Sequence, residues 1–301
     1  VIADLNATIG MSRLSSEVTA KLDQNASGGN TTINNPPAVG SLIAIPYGQN
    51  APAGYSLYQR GEPKELVWEE KAPVSVARYA YDGVEVLDGK IYFVGGSDGS
   101  AKNIAERYDP VNNTWETLPF MAQARVGVAS AVLDGKLYAI GGQGLSSVEI
   151  YDTSTESWSL GVALPSEVNH GWAISVNNKI YLMGGRNSSD QSVNQVQCFD
   201  PLTSQWTQKV NMPTARHGLK LVWFENRIWA IGGGGVTNYL SKVESYDVSS
   251  DSWQVEASLT SPRAFPYAWV ANGRIYAGGG HNGAFLNSNE SYNPTTKQWS
   301  N

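Results

Sequence analysis

Residues 135–158 read GKLYAIGGQGLSSVEIYDTSTESW and hold three markers in fixed order: an apolar run closed by Gly141-Gly142, the pair Tyr151-Asp152, and Trp158. The three markers recur five times along the chain, with small variations. The Gly-Gly pairs begin at residues 95, 141, 184, 232 and 278, so the repeat length is 43 to 48 residues. A fixed period of this length indicates a repeat protein, in which each unit packs against its neighbours.

The residues around each Gly-Gly pair favour β-structure. Short runs such as Leu137–Ile140 are almost continuously apolar, which is typical of strands buried on both faces. A two-residue turn signal precedes each run: Asp88-Gly89, Asp134-Gly135, Asn177-Asn178, Glu225-Asn226 and Asn272-Gly273. These residue types tolerate the positive φ of tight hairpins. We expect the Gly-Gly pairs to allow close approach between units, and each tryptophan to pack between units.

The ordered markers resemble the kelch family, and the resemblance covers residues 71–301. It implies an all-β propeller in which each repeat forms one four-stranded antiparallel blade around a central channel. Trp68 lies one period before Trp115, so the segment Glu65–Glu70 is expected to be an outer strand of one further blade. The segments Leu42–Ile45 and Tyr55–Tyr58 are candidate middle strands of that blade. The sequence therefore predicts six blades, five complete and the first partial.

The N-terminal region is expected to be a helix followed by a linker. Leu14, Val18 and Leu22 share one helical face, so residues 1–24 read as an amphipathic helix. Residues 25–39 form a Gly/Asn/Thr/Pro linker, and residues 40–301 the propeller. The helix either self-associates as the end of a stalk, giving a homo-oligomer, or folds back on the propeller. Residues 40–61 also resemble the tail-collar motif of phage tail fibres, although Tyr58–Gly61 replaces its usual Cys-Asp-Gly.

Composition excludes several classes of function. The net charge is −6 and there is no run of Lys or Arg, which argues against nucleic acid as a partner. No apolar run is long enough for a membrane span. Cys198 is the only cysteine, so the chain has no internal disulfide and no multi-cysteine metal site. No phosphate-binding loop, catalytic triad order or zinc-ligand spacing occurs, so we expect no cofactor and no metal.

The loops between blades and those after Gly-Gly would build one face of the propeller, and the kelch resemblance places the ligand there. An arginine precedes four blades, and the sequence places Asn169 at that position in the third. Arginine binds carboxylates with paired hydrogen bonds, and aromatic side chains add stacking surface. The predicted ligand-binding residues are Arg78, Tyr79, Arg125, Asn169, His170, Arg186, Arg216, His217, Tyr239, Arg263, Phe265, His281 and Phe285.

Structural and catalytic alternatives apply to the same residues. Each arginine could instead brace the next blade by bonding a carbonyl or an acidic side chain. His170, His217 and His281 lie on different blades, which disfavours a three-histidine metal site. Some kelch-like propellers are copper oxidases, but Cys198 lies in the Tyr-Asp strand, away from the expected site. A sialic-acid mutarotase would need an acid or base, for which Glu167 and His170 are candidates.

The sequence favours a non-catalytic binding module over an enzyme. Its expected ligand is a glycan or a protein with acidic groups, and the module would serve as an adhesin or tail-fibre-like head. An extracellular or surface location is favoured. The alternative function is that of a sugar mutarotase.

Overall fold

A computed structural model describes residues 70–79 and 83–301 of the chain. Within these residues, twenty strands form five four-stranded antiparallel sheets, in which neighbouring strands are consecutive in the chain. Each sheet corresponds to one sequence repeat and is called a blade here. Among the described residues, no helix is long and apolar enough to cross a membrane.

The strand bounds show the same pattern in every blade. Blade 1 contains β1 (Val84–Leu87), β2 (Lys90–Val94), β3 (Ala105–Asp109) and β4 (Thr114–Thr117). Blade 2 contains β5 (Ala129–Leu133), β6 (Lys136–Ile140), β7 (Val148–Asp152) and β8 (Ser157–Leu160). Blade 3 contains β9 (Trp172–Val176), β10 (Lys179–Met183), β11 (Val196–Asp200) and β12 (Gln205–Gln208). Blade 4 contains β13 (Lys220–Phe224), β14 (Arg227–Ile231), β15 (Val243–Asp247) and β16 (Ser252–Val255). Blade 5 contains β17 (Tyr267–Ala271), β18 (Arg274–Gly278), β19 (Asn289–Asn293) and β20 (Gln298–Ser300).

The repeated polar residues build the turns inside each blade. The first hairpin has positive φ at both central residues, for example 49° at Asp134 and 70° at Gly135, as the sequence predicts. The third strand ends in an aspartate or asparagine whose side-chain oxygen accepts the backbone N–H two residues later. In blade 2 this bond joins Asp152 to Ser154 at 2.9 Å. Such a bond stabilises a tight turn, which explains the aspartate of the Tyr-Asp marker.

Successive blades pack through four clusters of buried apolar side chains, one at each junction from blade 1 to blade 5. At each junction, an aromatic side chain of a second strand contacts an aromatic side chain of the next blade's third strand. The pairs are Tyr92–Tyr151, Tyr138–Phe199, Tyr181–Tyr246 and Trp229–Tyr292, with ring centroids 4.9 to 6.3 Å apart. Burying one such side chain contributes about 1.5–3 kcal/mol. Within the described residues, no comparable cluster joins blade 5 to blade 1.

Each repeat tryptophan links its blade to the chain that enters it. The indole N–H donates to a carbonyl oxygen of the preceding linker, as from Trp158 to Pro119 at 2.8 Å and from Trp253 to Val210 at 2.9 Å. Trp115 makes the same bond to Ala72 at 2.8 Å, so residues 70–79 act as the linker into blade 1. The tryptophan is therefore both a packing group and a hydrogen-bond donor between blades, in agreement with the prediction.

The prediction of six blades is wrong for the residues that the structure describes, and the predicted N-terminal helix falls outside them. Residues 70–79 and 83–301 form five blades and contain no helix. Glu70, the last residue of the predicted extra strand, is not in a strand. The five blades are those that carry every marker, whereas the predicted sixth carries only the tryptophan marker, at Trp68. Trp68, the segment Leu14–Leu22 with its predicted self-association, and the boundaries at residues 24 and 39 lie outside the described residues.

Candidate functional site

The loops entering blades 2 to 5 share one position with a left-handed backbone conformation. Gly127, His170, Gly218 and Phe265 occupy it in turn, with φ between 52° and 63°. Their backbones form a chain of hydrogen bonds, in which the N–H of His170 donates to Gly127, that of Gly218 to His170, and that of Phe265 to Gly218, at 2.7 to 2.8 Å. A phenylalanine at positive φ is unfavourable by about 1–3 kcal/mol, so the surrounding contacts must hold it there.

The alternation of glycine with a large side chain at this position has a steric cause. A Cβ on Gly127 would lie 2.8 Å from the His170 ring, and a Cβ on Gly218 would lie 2.6 Å from the Phe265 ring. Each ring therefore rests on the glycine of the preceding blade. The rings of His170 and Phe265 also meet edge to face, with centroids 5.5 Å apart.

The side chains of the four predicted arginines are buried. Three of them lie two residues before this position, and Arg78 is the corresponding arginine before blade 1. Each forms an ion pair with the glutamate of its own blade's third strand, and the pairs are Arg78–Glu106, Arg125–Glu149, Arg216–Glu244 and Arg263–Glu290. Arg125 also donates to the carbonyl oxygens of Gly141 and Ser147. Burial lowers the pKa of Arg125, although Glu149 opposes this shift. The geometry is that of a brace between a loop and the blade that follows it.

Blade 3 lacks this ion pair altogether. The residue in the arginine position is Val168, because its carbonyl oxygen accepts from Gly142 N–H just as that of Arg125 accepts from Gly96. The glutamate is replaced by Gln197. The sequence placed Asn169 at the arginine position, and the structure corrects this by one residue. Asn169 instead pairs through its backbone with Arg186. Blade 3 therefore lacks both the arginine and the glutamate of this pair, so neither charge is buried without a partner.

The loops after the Gly-Gly pairs carry the exposed groups. In blades 4 and 5 these loops form small hairpins, closed by the bridges Gly234–Tyr239 and His281–Phe285. Phe285 is 92% exposed and Tyr239 is 38% exposed. The ring of His281 lies between them, with centroids 5.3 Å from Tyr239 and 5.4 Å from Phe285. Exposed aromatic side chains on adjacent loops are typical of binding surfaces.

A cavity of about 610 Å³ opens between these loops. Its lining consists of Arg186, His217, Gly234, Gly235, Val236, Thr237, Asn238, Tyr239, Ala264, Phe265, Tyr267, Gly280, His281 and Phe285. The walls are therefore mostly aromatic and backbone groups, with one guanidinium. Few, well-placed polar groups in an otherwise apolar cavity are typical of ligand sites.

The Arg186 guanidinium is held by a short hydrogen-bond network. Its Nη2 lies 2.8 Å from His217 Nε2, and its Nη1 donates to Asp190 at 2.9 Å. Because a guanidinium cannot accept a hydrogen bond, His217 Nε2 is the acceptor, and the proton of the neutral ring is on Nδ1. His217 Nδ1 then donates to Ser192 Oγ at 2.8 Å. Burial, with the charge of Arg186 and the nearby His170, lowers the pKa of His217 to about 4. The histidine is therefore neutral at pH 7.

Comparison with known proteins agrees with this architecture. The model of the KLHDC2/KLHL20/DRC7 Kelch-repeats domain matches residues 127–301, and the Kelch motif matches residues 80–121. The chain belongs to the kelch-repeat family. Kelch propellers are generally protein-binding modules, and a non-catalytic binding role is consistent with that membership.

Several kelch-like proteins are similar in sequence. Kelch-like protein 25 of Xenopus tropicalis is 26% identical over 67% of this chain and 37% of its own length. Kelch-like protein 35 of Mus musculus is 31% identical over 77% of this chain and 32% of its own length. The chain thus spans about a third of the relatives it matches. The solved structure of YjhT superposes with a TM-score of 0.64 at 15% identity, covering 72% of this chain and 82% of that one, which shows a shared fold.

Six of the thirteen predicted site residues line the cavity of this kelch propeller: Arg186, His217, Tyr239, Phe265, His281 and Phe285. The other seven, Arg78, Tyr79, Arg125, Asn169, His170, Arg216 and Arg263, do not line it. His170 lies next to it through its contact with Phe265. In the part of the chain that the structure describes, no cluster of three or more histidine, cysteine or acidic side chains is suited to a metal ion.

Sequence reasoning missed Tyr267 and the segment Val236–Asn238, which also line the cavity. The signal for the segment was the glycine run Gly232–Gly235, which directly precedes it in the loop of blade 4. Tyr267 gave no signal, because it lies in an inner strand and not in one of the loops of the predicted face.

We expect the buried His217 to make stability depend on pH. The pKa of His217 is about 4 in the folded state and about 6.5 in the unfolded chain. At pH values between these two, the unfolded chain therefore binds more protons than the folded protein. Stability is therefore full above about pH 6.5 and decreases as pH falls toward 4. From pH 8 to pH 5 this group alone should remove about 2 kcal/mol.

Urea denaturation of the native chain and of His217→Gln at both pH values measures this contribution. Glutamine keeps an acceptor for Arg186 but does not titrate, so the variant should lose less stability on acidification. Equal losses in both proteins would contradict the assignment.

Proposed function

We propose that this chain is a non-catalytic binding module that takes an acidic segment of a protein in the cavity between the loops of blades 3, 4 and 5. The observation that carries the proposal is the Arg186 guanidinium fixed beside exposed aromatic rings. Kelch propellers bind proteins in general, and the acidic ligand class is the further step taken here.

The charge state of the cavity supports an acidic ligand. The arginines at the blade entrances are neutralised by their own glutamates, whereas Arg186 pairs with Asp190, whose side chain is 75% exposed. An exposed ion pair is worth little in water, so a ligand carboxylate can displace Asp190 at small cost. Each terminal nitrogen of the guanidinium also keeps a second N–H for such a ligand.

Preorganisation supports the same conclusion. His217 accepts a hydrogen bond from the guanidinium and is itself bonded to Ser192. Because the guanidinium is already fixed, little side-chain entropy is lost when a ligand binds. Phe285 and Tyr239 offer rings to an apolar side chain next to the carboxylate. Such aromatic groups often dominate the affinity of protein interfaces.

A carboxylated glycan is the second candidate ligand, favoured by the exposed faces of Tyr239 and Phe285, since aromatic rings also stack on sugars. On this proposal the module would be the head of an adhesin or tail-fibre-like protein. For a mutarotase no observation provides comparable support, because Glu167 and His170 do not line the cavity.

Arg186→Ala is expected to weaken ligand binding by about ten- to a hundredfold, because charge-assisted hydrogen bonds contribute about 1.5–3 kcal/mol. The probe is a peptide array in which each acidic peptide has a matched form with glutamine and asparagine, beside a glycan array with carboxylated and neutral members. Lys136→Ala is the matched control, since it also removes an exposed cation that pairs with a carboxylate, Asp152, but lies outside the cavity lining.

Binding that favours acidic peptides and requires Arg186 supports the proposal. Binding only to carboxylated glycans would select the second candidate. Equal loss in both variants, or no preference for acidic members, would contradict both. Anomer exchange of sialic acid, followed by NMR, tests for mutarotase activity, and catalysed exchange would overturn the non-catalytic assignment.

A further inference from the structure

The loop that carries His281 and Phe285 has a chemically reactive pair of residues at its tip. The sequence contains two Asn-Gly pairs, Asn272-Gly273 and Asn282-Gly283, and both lie in blade 5. The first is the tight turn between β17 and β18. The second is at the tip of the hairpin closed by the bridge His281–Phe285, and both residues of that bridge line the cavity. A chemical change at Asn282 therefore alters the rim of the cavity.

An Asn-Gly pair can lose ammonia without an enzyme. The backbone nitrogen of the glycine attacks the side-chain carbonyl carbon of the asparagine, and a succinimide ring forms as the bond to the side-chain nitrogen breaks. Water then opens the ring at either carbonyl carbon, which leaves aspartate or isoaspartate. Glycine hinders this attack least, because it has no Cβ. The glycine N–H must give up its proton, so a positioned base accelerates the reaction.

His281 is placed to act as that base. The backbone N–H of Gly283 donates to His281 Nδ1 at 3.4 Å, so the proton to be removed already points at an acceptor. The imidazole ring is held between the rings of Tyr239 and Phe285. The backbone of His281 is fixed by hydrogen bonds of 2.9 Å in both directions with Ala264. The base is therefore oriented by contacts that do not involve the reacting pair.

The surroundings of the two pairs differ. Gly283 is exposed, with a φ of 106°, and a Cβ there would meet no atom within 4 Å, so water reaches the reacting atoms. Asn272 and Gly273 are fixed in a tight turn, with φ of 49° and 65°. The residues that flank this turn, Ala271 and Arg274, offer no base. The same dipeptide thus occurs twice in one blade, once beside a histidine and once without one.

We propose that Asn282 is a self-modification site, at which His281 assists deamidation and a carboxylate is thereby placed at the rim of the cavity. His281 Nδ1 takes the proton from the nitrogen of Gly283, and this nitrogen forms a bond to Asn282 Cγ. The bond from Cγ to Nδ2 then breaks, and ammonia leaves with the proton that the histidine held. Addition of water to the ring completes the exchange of the amide for a carboxylate.

The modification changes the cavity in two ways. The new carboxylate repels an acidic ligand, a consequence that rests on the proposed function. In isoaspartate the main chain also runs through the side-chain carbon, which lengthens the hairpin tip between His281 and Phe285. Newly made protein therefore binds acidic segments more tightly than aged protein, so the site contains its own timer.

Peptide mapping by mass spectrometry, on the full chain incubated at mildly alkaline pH, measures the two deamidation rates separately. Asn282 should react faster than Asn272. His281→Phe keeps a ring between Tyr239 and Phe285 but has no acceptor, so it should slow the reaction at Asn282 by about tenfold or more. The rate at Asn272 is the internal control and should not change. Equal rates at the two pairs of the native chain, or an unchanged rate at Asn282 in His281→Phe, would overturn the proposal.

The effect on binding is tested with Asn282→Asp, which imitates one product. It should bind acidic peptides about tenfold more weakly than the native chain, and salt should reduce the difference. Asn272→Asp is the matched control, because it adds the same charge in a turn where blades 1 and 2 already carry Asp88 and Asp134. It should leave the affinity unchanged.

The outcomes separate this inference from the proposed function. Equal affinity of Asn282→Asp and the native chain for acidic peptides would overturn the timer. If no acidic peptide binds the native chain, the proposed function and the timer fail together, while the two deamidation rates decide the modification by themselves.

Discussion

Arg216→Val is expected to lower the free energy of unfolding by about 3–5 kcal/mol, because it leaves Glu244 as a buried carboxylate without its cation. The variant also removes two hydrogen bonds of 3.0 Å, which Arg216 donates to the carbonyl oxygens of Gly232 and Lys242. Urea denaturation followed by tryptophan fluorescence measures the loss.

Blade 3 supplies the control for this experiment, because it carries Val168 and Gln197 where blade 4 carries Arg216 and Glu244. The double variant Arg216→Val/Glu244→Gln should therefore recover most of the stability lost by Arg216→Val. Glu244→Gln alone should also be destabilised, since Arg216 then lacks its carboxylate. A stable Arg216→Val variant with reduced affinity for an acidic ligand would instead give the arginine a binding role.

The five complete blades could be predicted from the sequence because each marker has a local physical function. The aspartate of Tyr-Asp closes a turn, and the tryptophan donates to the preceding linker. These functions need the same residue at the same spacing in every unit, so the markers recur along the sequence at a nearly constant interval. The extra blade had only the period of Trp68 in its support, and a single marker does not specify four paired strands.

The role of the arginines could not be predicted, because one pattern fits both a binding site and a brace. The distinction depends on the glutamate of the third strand, more than twenty residues away, and on whether the pair is buried. Asn169 was assigned to the arginine position by matching one polar residue to another. Counting back from the strand start at Trp172 gives Val168 instead, because the first strand begins four residues after the arginine in blades 2, 4 and 5.

The aromatic side of the cavity was predicted in part. His281, Phe285 and Tyr239 follow Gly-Gly pairs, and that position alone assigns them to exposed loops. Tyr267 lies in a strand, and none of the described blades covers its side chain. A sequence period does not show which strand residues stay exposed, so the place of Tyr267 in the cavity became visible only in the structure.

Gly232→Ala is expected to destabilise the fold by about 3 kcal/mol, through two separate effects. Gly232 has a φ of 61°, which costs an alanine about 1–2 kcal/mol. A Cβ at this position would also lie 2.5 Å from the carbonyl oxygen of Arg263, in the linker to blade 5. That carbonyl accepts the N–H of Gly233 and cannot move without breaking the bond, so overpacking adds about 1–3 kcal/mol.

Gly135→Ala separates the two effects. Gly135 has a similar φ of 70°, but a Cβ there would have no neighbour within 4 Å. This variant should lose only the conformational part, about 1–2 kcal/mol. The difference between the two losses, measured by urea denaturation, is then the contribution of close approach between blades at a Gly-Gly pair. If the losses are equal, the first glycine of the pair is needed for its backbone conformation alone, and steric contact with the next blade does not select it.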